Sequence, residues 1–177
     1  MLEIVKQIID FYIKNQKFPK IYDLNIENSS LLNEKLSCFV TFYYKGEIRG
    51  SAGNIKEIKD NGINEIIENT ITALTKDSRF KPITPNEAYD LKIRIDKINN
   101  REMLKDKSIK TIDPTISGII TIKKDYSKMA CILPNINPKL LTGEDFIPIL
   151  KEKLSERSFK EDDYIIYEIK TIVETSY

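Results

Sequence analysis

Two short stretches hold the residue types that could do chemistry. Arg49-Gly50-Ser51-Ala52-Gly53 sets a guanidinium beside backbone that small residues leave uncovered, and Asp77-Ser78-Arg79-Phe80-Lys81-Pro82 sets a second guanidinium beside a carboxylate and an aromatic ring. A planar guanidinium fork next to exposed N–H groups can hold a carboxylate or phosphate through paired hydrogen bonds. Glycine inside a strand weakens it, so Gly50 and Gly53 mark a bulge or a close approach of ligand or of another element. Pro82 pushes Lys81 toward extended geometry, so the second stretch is expected to leave a helix as a fixed turn. If Arg79 points into one hollow with Arg49, the two cations favour an anion. A plainer reading stands beside this one. The hairpin is then packed tightly on a helix with Arg49 solvated, and Asp77 and Arg79 only lock their turn, an exposed pair worth about 0–1 kcal/mol.

Other chemistries are excluded by composition. Histidine is absent, which removes the usual general base near neutral pH, the Ser-His and Cys-His nucleophile pairs and the commonest transition-metal ligand. Ser51 lacks the spacing of a G-x-S-x-G elbow because Arg49 takes the first glycine position, so a hydrogen-bonding or structural role ranks above a nucleophilic one. Cys38 and Cys131 form no C-x-x-C pair and lie in apolar runs, where they are expected to be buried and inert. Glu161-Asp162-Asp163 lacks the glycine and alternating oxygens of a calcium loop and reads as a solvated turn. No metal, no cofactor and no catalytic residue are assigned.

The 28 basic and 27 acidic residues give a net charge of +1 and alternate along the chain, so no nucleic-acid partner is expected, and Lys123 and Lys124 read as a solvated face. No apolar run approaches the roughly 20 residues of a membrane span. Met1 to Lys17 is interrupted by Glu3, Lys6 and Asp10, unlike a signal peptide. A cytoplasmic protein with no membrane partner is the expectation; oligomeric state is not legible.

The positioning elements follow from periodicity. Leu2, Val5, Ile8, Ile9 and Tyr12 predict a helix ending near Gln16. Residues Cys38 to Tyr44, a Lys45-Gly46 turn and Ile48 to Ile55 predict a hairpin whose first strand is covered on both faces. Ile63, Ile66, Ile67, Thr70, Ile71 and Leu74 predict a helix from Asn61 to Thr75, and Thr84-Pro85 with Glu87 predicts a short capped one. Leu91 to Asp96 reads as a strand with one wet face. Gly118–Lys124 and Lys128–Leu133 form a second hairpin, Asp145 caps a last helix with Leu150 and Leu154 inward, and Tyr164–Ile172 is a final strand. The sum is one α+β domain over residues 1–177, a mostly antiparallel sheet flanked by helices.

Taken together, Glu47-Ile48-Arg49-Gly50-Ser51-Ala52-Gly53 and Ala73-Leu74-Thr75-Lys76-Asp77-Ser78-Arg79-Phe80-Lys81-Pro82 resemble the AMMECR family, named for a human chromosomal region linked to Alport syndrome and elliptocytosis. The resemblance extends to Cys38-Phe39-Val40-Thr41, Gly118-Ile119-Ile120 and Ile132-Leu133-Pro134 and so covers nearly the whole chain. It implies a fold with a larger and a smaller lobe and a cleft, and no settled activity. Bacterial and archaeal members often occur beside, or fused with, a Memo-like protein and a radical SAM enzyme, which implies those two as partners. The family's hairpin arginine and glycines fall on Arg49, Gly50 and Gly53, and its aspartate, arginine, phenylalanine and proline turn falls on Asp77, Arg79, Phe80 and Pro82. Its hairpin usually reads R-G-C-I-G, whereas this chain has Ser51 and Ala52, and a hydroxyl is a far poorer nucleophile than a thiolate. Two functions follow as expectations: a module handling a small anionic molecule, with or without catalysis, or a noncatalytic partner-binding or scaffold domain.

Overall fold

The computed structural model describes residues 1–26, 29–105 and 108–177. In chain order its elements are α1 (Leu2–Asn15), β1 (Cys38–Tyr44), β2 (Glu47–Gly53), α2 (Gly62–Thr75), α3 (Pro85–Ala88), β3 (Lys92–Met103), β4 (Gly118–Lys123), β5 (Met129–Ile132), α4 (Phe146–Leu154) and β6 (Tyr164–Thr175), with short 3-10 turns between them. The strands form one sheet in the order β2-β1-β3-β6-β4-β5. The pairs β1–β2, β1–β3, β4–β5 and β4–β6 are antiparallel, so the α+β class holds.

The chain divides into two compact units, Met1–Lys97 with Val173–Tyr177, and Ile98–Ile172; β3 and β6 each run through both. In the first, α1 contributes Val5, Ile8 and Ile9, and α2 contributes Ile63, Ile66, Ala73 and Leu74, to a core shared with Val40, Phe42, Ile93 and Ile95 of the sheet. Helical spacing on α1 and α2 meets alternate residues on the strands, the two periodicities that bury one face of each. The second unit packs Phe146, Leu150 and Leu154 of α4 against Ile119, Ile132 and Ile166, as the inward placement of Leu150 and Leu154 requires. Every residue singled out at the two chemical stretches belongs to the first unit.

Helix ends follow their caps. Gln16 closes α1 in the left-handed region, with its N–H on the Tyr12 carbonyl. Asn61 opens α2 by accepting from the Asn64 N–H, and Thr84 and Glu87 cap α3 reciprocally around Pro85. Asp145 behaves differently from expectation. It sits in helical geometry and makes no N-cap bond to α4. Its carboxylate instead accepts from the Leu141 and Thr142 N–H groups, 2.9 and 2.8 Å, and so builds the 3-10 turn that precedes the helix.

The expected wet face of the Leu91–Asp96 stretch is also corrected. Arg94 and Asp96 are 6% and 0% exposed, and they pair through two bonds of 2.8 Å. Alternation correctly marked which residues share a face; burial of that face was open to a charged pair because each charge neutralises the other. Lys123 is likewise half-buried and bonded to Glu156 at 2.8 Å. The Glu161–Asp163 turn is partly structural, since Glu161 accepts from the Ser108 hydroxyl and the Ile109 N–H. Among the described residues no helix is long and apolar enough to cross a membrane.

Candidate functional site

The hairpin turns at Lys45-Gly46, both with positive φ, which matches the right-handed twist of its strands. From that turn Tyr44 faces Glu47 and Tyr43 faces Ile48, but Phe42 faces Gly50, so Arg49 is an extra residue in a β-bulge. An unbroken ladder would set Gly50 opposite Thr41 and Ser51 opposite Val40. The bulge shifts that register by one and swaps the faces of both residues. Gly50 now shares the helix-facing side with Phe42, where a Cβ would overlap the Ala73 carbonyl of α2. Ser51 shares the other side with Thr41, and their hydroxyls are 2.9 Å apart. A Cβ at Gly53 would overlap the Phe39 ring, so both glycines admit protein elements rather than open space.

The second stretch meets this hairpin through Asp77. Its Oδ2 accepts the Ser51 N–H at 2.9 Å and Arg79 Nη2 at 2.7 Å; its Oδ1 accepts the Arg79 N–H and Nε at 3.1 and 3.0 Å. Burial pushes the Asp77 carboxyl up, but these donors and the guanidinium charge outweigh it and hold the group below its ordinary value. The Phe80 N–H closes a turn on the Asp77 carbonyl, and the Ile83 N–H reaches the Leu74 carbonyl at 2.7 Å. The exposed Pro82 lies between these two anchors. Tyr12 of α1 donates its hydroxyl to the Ile83 carbonyl, tying the exit of the turn to the core.

Arg49 and Arg79 converge on one ring. Their guanidinium carbons lie 5.9 and 5.2 Å from the Phe80 centroid, within the range of cation–π attraction. Arg49 is not solvated: its side chain is 17% exposed, its Nε and Nη2 meet the two Glu87 oxygens at 3.2 and 3.3 Å, and its Nη1 donates to the Lys81 carbonyl at 2.9 Å. Arg79 is 52% exposed on its side chain. Among the described residues no hydrogen-bond partner meets its Nη1, which leaves one edge of that fork open to solvent. The arrangement can present guanidinium N–H groups and an aromatic face to a small anion. Among the described residues no base is poised on Ser51, whose hydroxyl meets that of Thr41.

A polar knot just beyond Gly53 fixes the far end of β2. Glu65 and Asn69, buried on α2, both contact the Asn54 side-chain amide, Glu65 at 2.5 Å and Asn69 at 3.3 Å. Glu65 also accepts from Asn69 and from the Lys59 N–H, both at 3.1 Å. Asn69 donates to the Cys38 carbonyl and contacts its sulfur. Burial pushes the Cys38 thiol up to about 12, while the Asn69 contact pulls it down, so this cysteine stays an inert thiol as expected. Cys131 is only half-buried, contrary to its apolar surroundings in sequence, because β5 is an edge strand. Among the described residues no group of three or more Asp, Glu, Cys or His side chains gathers in a way that could hold a metal.

Spacing alone missed Glu87 as the partner of Arg49, because its capping role already accounted for it. It also missed Thr41, which could be found only by placing a bulge at Arg49 and recounting the ladder. The Glu65–Asn69 pair carried a signal: an acid and an amide four apart fall within the otherwise apolar stripe of α2.

A Thermotoga maritima protein is 32% identical over 138 residues, covering 77% of this chain and 76% of its own length. A Clostridium acetobutylicum protein is 30% identical over 132 residues, which are 75% of this chain but 26% of that longer one. The crystal structure of an uncharacterised protein from Pyrococcus horikoshii superposes with a TM-score of 0.80 at 20% identity, covering 97% of this chain and 87% of that one, a likeness of fold alone. The AMMECR1 family model matches residues 2–171, a span that takes in the bulged hairpin and the Asp77–Pro82 turn; this chain belongs to the AMMECR1 family.

Proposed function

We propose that the chain is a ligand-handling module for a small anionic molecule, with its binding position at the Arg49–Phe80–Arg79 cluster. The observation that carries this reading is the convergence of two guanidiniums on one half-buried ring, one of them half-exposed with an open fork edge. In this reading Arg79 receives the anion and Arg49 supplies a second fork. Asp77 holds Arg79 in place and ties it to the hairpin through the Ser51 N–H, while Phe80 packs under both cations. Gly50 and Gly53 let α2 and Phe39 seat the hairpin, and Pro82 stiffens the turn. No reaction is assigned. The family resemblance supports work in one pathway with Memo-like and radical SAM proteins.

A second reading is favoured by the exposure of Arg79, Lys81 and Pro82 around Phe80: the turn docks onto such a partner protein and takes no small molecule. One experiment separates the two. A thermal-shift screen of anionic metabolites and nucleotides compares the native chain with Arg79→Ala, and a pull-down of the partners is run with no small molecule added. A ligand at 100 times its dissociation constant adds about 2.7 kcal/mol to stability. Stabilisation that Arg79→Ala abolishes, with partner capture intact, supports the first reading. Loss of capture with no stabilising anion supports the second.

A further inference from the structure

We infer that Glu87 is an internal competitor at this site: its carboxylate occupies the Nε–Nη2 edge of Arg49, and a carboxylate-bearing ligand would displace it from there. The inference rests on the anion-binding reading above and adds which edge is used, what holds it meanwhile and what class of anion takes it.

The two internal ion pairs have the same side-on form but differ in closeness. Asp77 meets Arg79 at 3.0 and 2.7 Å, near the 2.7–2.9 Å expected of charge-assisted N–H···O bonds. Glu87 meets Arg49 at 3.2 and 3.3 Å, outside that range. Asp77 also has two backbone N–H donors fixing it to its own turn and to the hairpin. Glu87 Oε2, which meets Arg49 Nη2, also accepts from the Thr84 N–H at 3.0 Å and the Thr84 hydroxyl at 3.1 Å at the cap of α3. In each pair one oxygen serves both the arginine Nη2 and a backbone N–H, so Glu87 differs from Asp77 in its longer pairing and in its anchor, which is the cap of α3 rather than the hairpin. The Glu87 side chain is 30% exposed, so the edge it covers lies next to solvent. What it places on the fork is a planar carboxylate with one oxygen per nitrogen, and the same shape from a ligand fits with no new geometry.

The test uses the full chain and malonate as probe, with inorganic phosphate as a second anion, read by isothermal titration. In Glu87→Gln the cap survives, because glutamine serves at that position of a capping box, but the competing charge is gone. Malonate is expected to bind Glu87→Gln about tenfold more tightly than the native chain, a coupling of ~1.4 kcal/mol. Phosphate is expected to gain less, and Arg49→Lys should remove the gain when combined with Glu87→Gln. Equal malonate affinity in the native chain and Glu87→Gln, with binding still lost in Arg79→Ala, overturns the competitor role and leaves the anion site standing. Malonate binding that is absent throughout, or indifferent to Arg49→Lys and Arg79→Ala alike, overturns both. Should Glu87→Gln fold poorly by circular dichroism, Glu87→Asp replaces it: the shorter arm withdraws the carboxylate from Arg49, and the same tightening is expected.

Discussion

At Asp77 a single carboxylate accepts a backbone N–H from the hairpin and three donors from Arg79, so its charge state bears on stability as well as on the site. Its carboxyl is held below the ordinary value of 3.8, which fixes the sign of the effect. A group depressed in the folded state stabilises fully above its unfolded value and loses that contribution as pH falls through the lower, folded one. Urea unfolding of the native chain and Asp77→Asn is therefore expected to show a stability gap at pH 6 that narrows below pH ~4 as the native carboxylate protonates. The gap at pH 6 should be about 1–3 kcal/mol, the cost of weakening a charged acceptor that serves a part-buried N–H. A gap that is constant from pH 6 to pH 2.5 would remove Asp77 from this role. Arg49, Asp77, Arg79 and Phe80 were legible from their types and order, because guanidiniums, a carboxylate and a ring beside glycines have few joint uses. Their partners were not legible: which acid meets which arginine depends on where α3 lies, and that is a tertiary fact.

Elements place those side chains through α2 and the residues that follow it, which meet β2 and Asn54 beside it at three positions. Glu65 and Asn69 hold Asn54, the Ala73 carbonyl covers Gly50, and Asp77 follows the helix to the Ser51 N–H. Gly50→Ala should be destabilised by roughly 1–3 kcal/mol or more in chemical denaturation, because the new methyl meets backbone that cannot rotate away. Glu65→Ala strips an acceptor from the buried Asn69 amide, the half-buried Asn54 amide and the Lys59 N–H, and a loss of about 2–4 kcal/mol is expected from unsatisfied donors alone. In β3, Arg94→Leu removes the guanidinium that meets the buried Asp96 carboxylate through two bonds and should cost about 3–5 kcal/mol, while the double change Arg94→Leu with Asp96→Leu should cost clearly less than the two single losses together. Near-additive losses in the double variant would contradict a paired role. The hairpin, the α2 stripe and the N-caps of α2 and α3 could be read from periodicity and cap chemistry, whereas the cap read at Asp145 proved to build the turn before α4. The glycines mark a bulge as one of two readings, but its place at Arg49 could not be read, because the ladder count depends on which side of β2 the helix covers.

For the whole molecule, the family match over residues 2–171 takes in both compact units, whereas all the chemistry read from the sequence belongs to the first. No domain boundary was legible because β3 and β6 pass through both units as unbroken strands with no linker composition between them. The buried Arg94–Asp96 pair was misread as a wet face for a related reason, since alternation reports which residues share a side and not whether that side is covered. On the proposed reading, Arg49 and Arg79 together receive one small anion. The decisive measurement follows the Nε–H resonances of the arginine side chains while malonate is added to the labelled chain. The expected result is that Arg49 and Arg79 shift together and saturate with one dissociation constant while Arg101 and Arg157 stay in place. Uniform, unsaturating drift of all the arginines, or movement of Arg79 without Arg49, would contradict it.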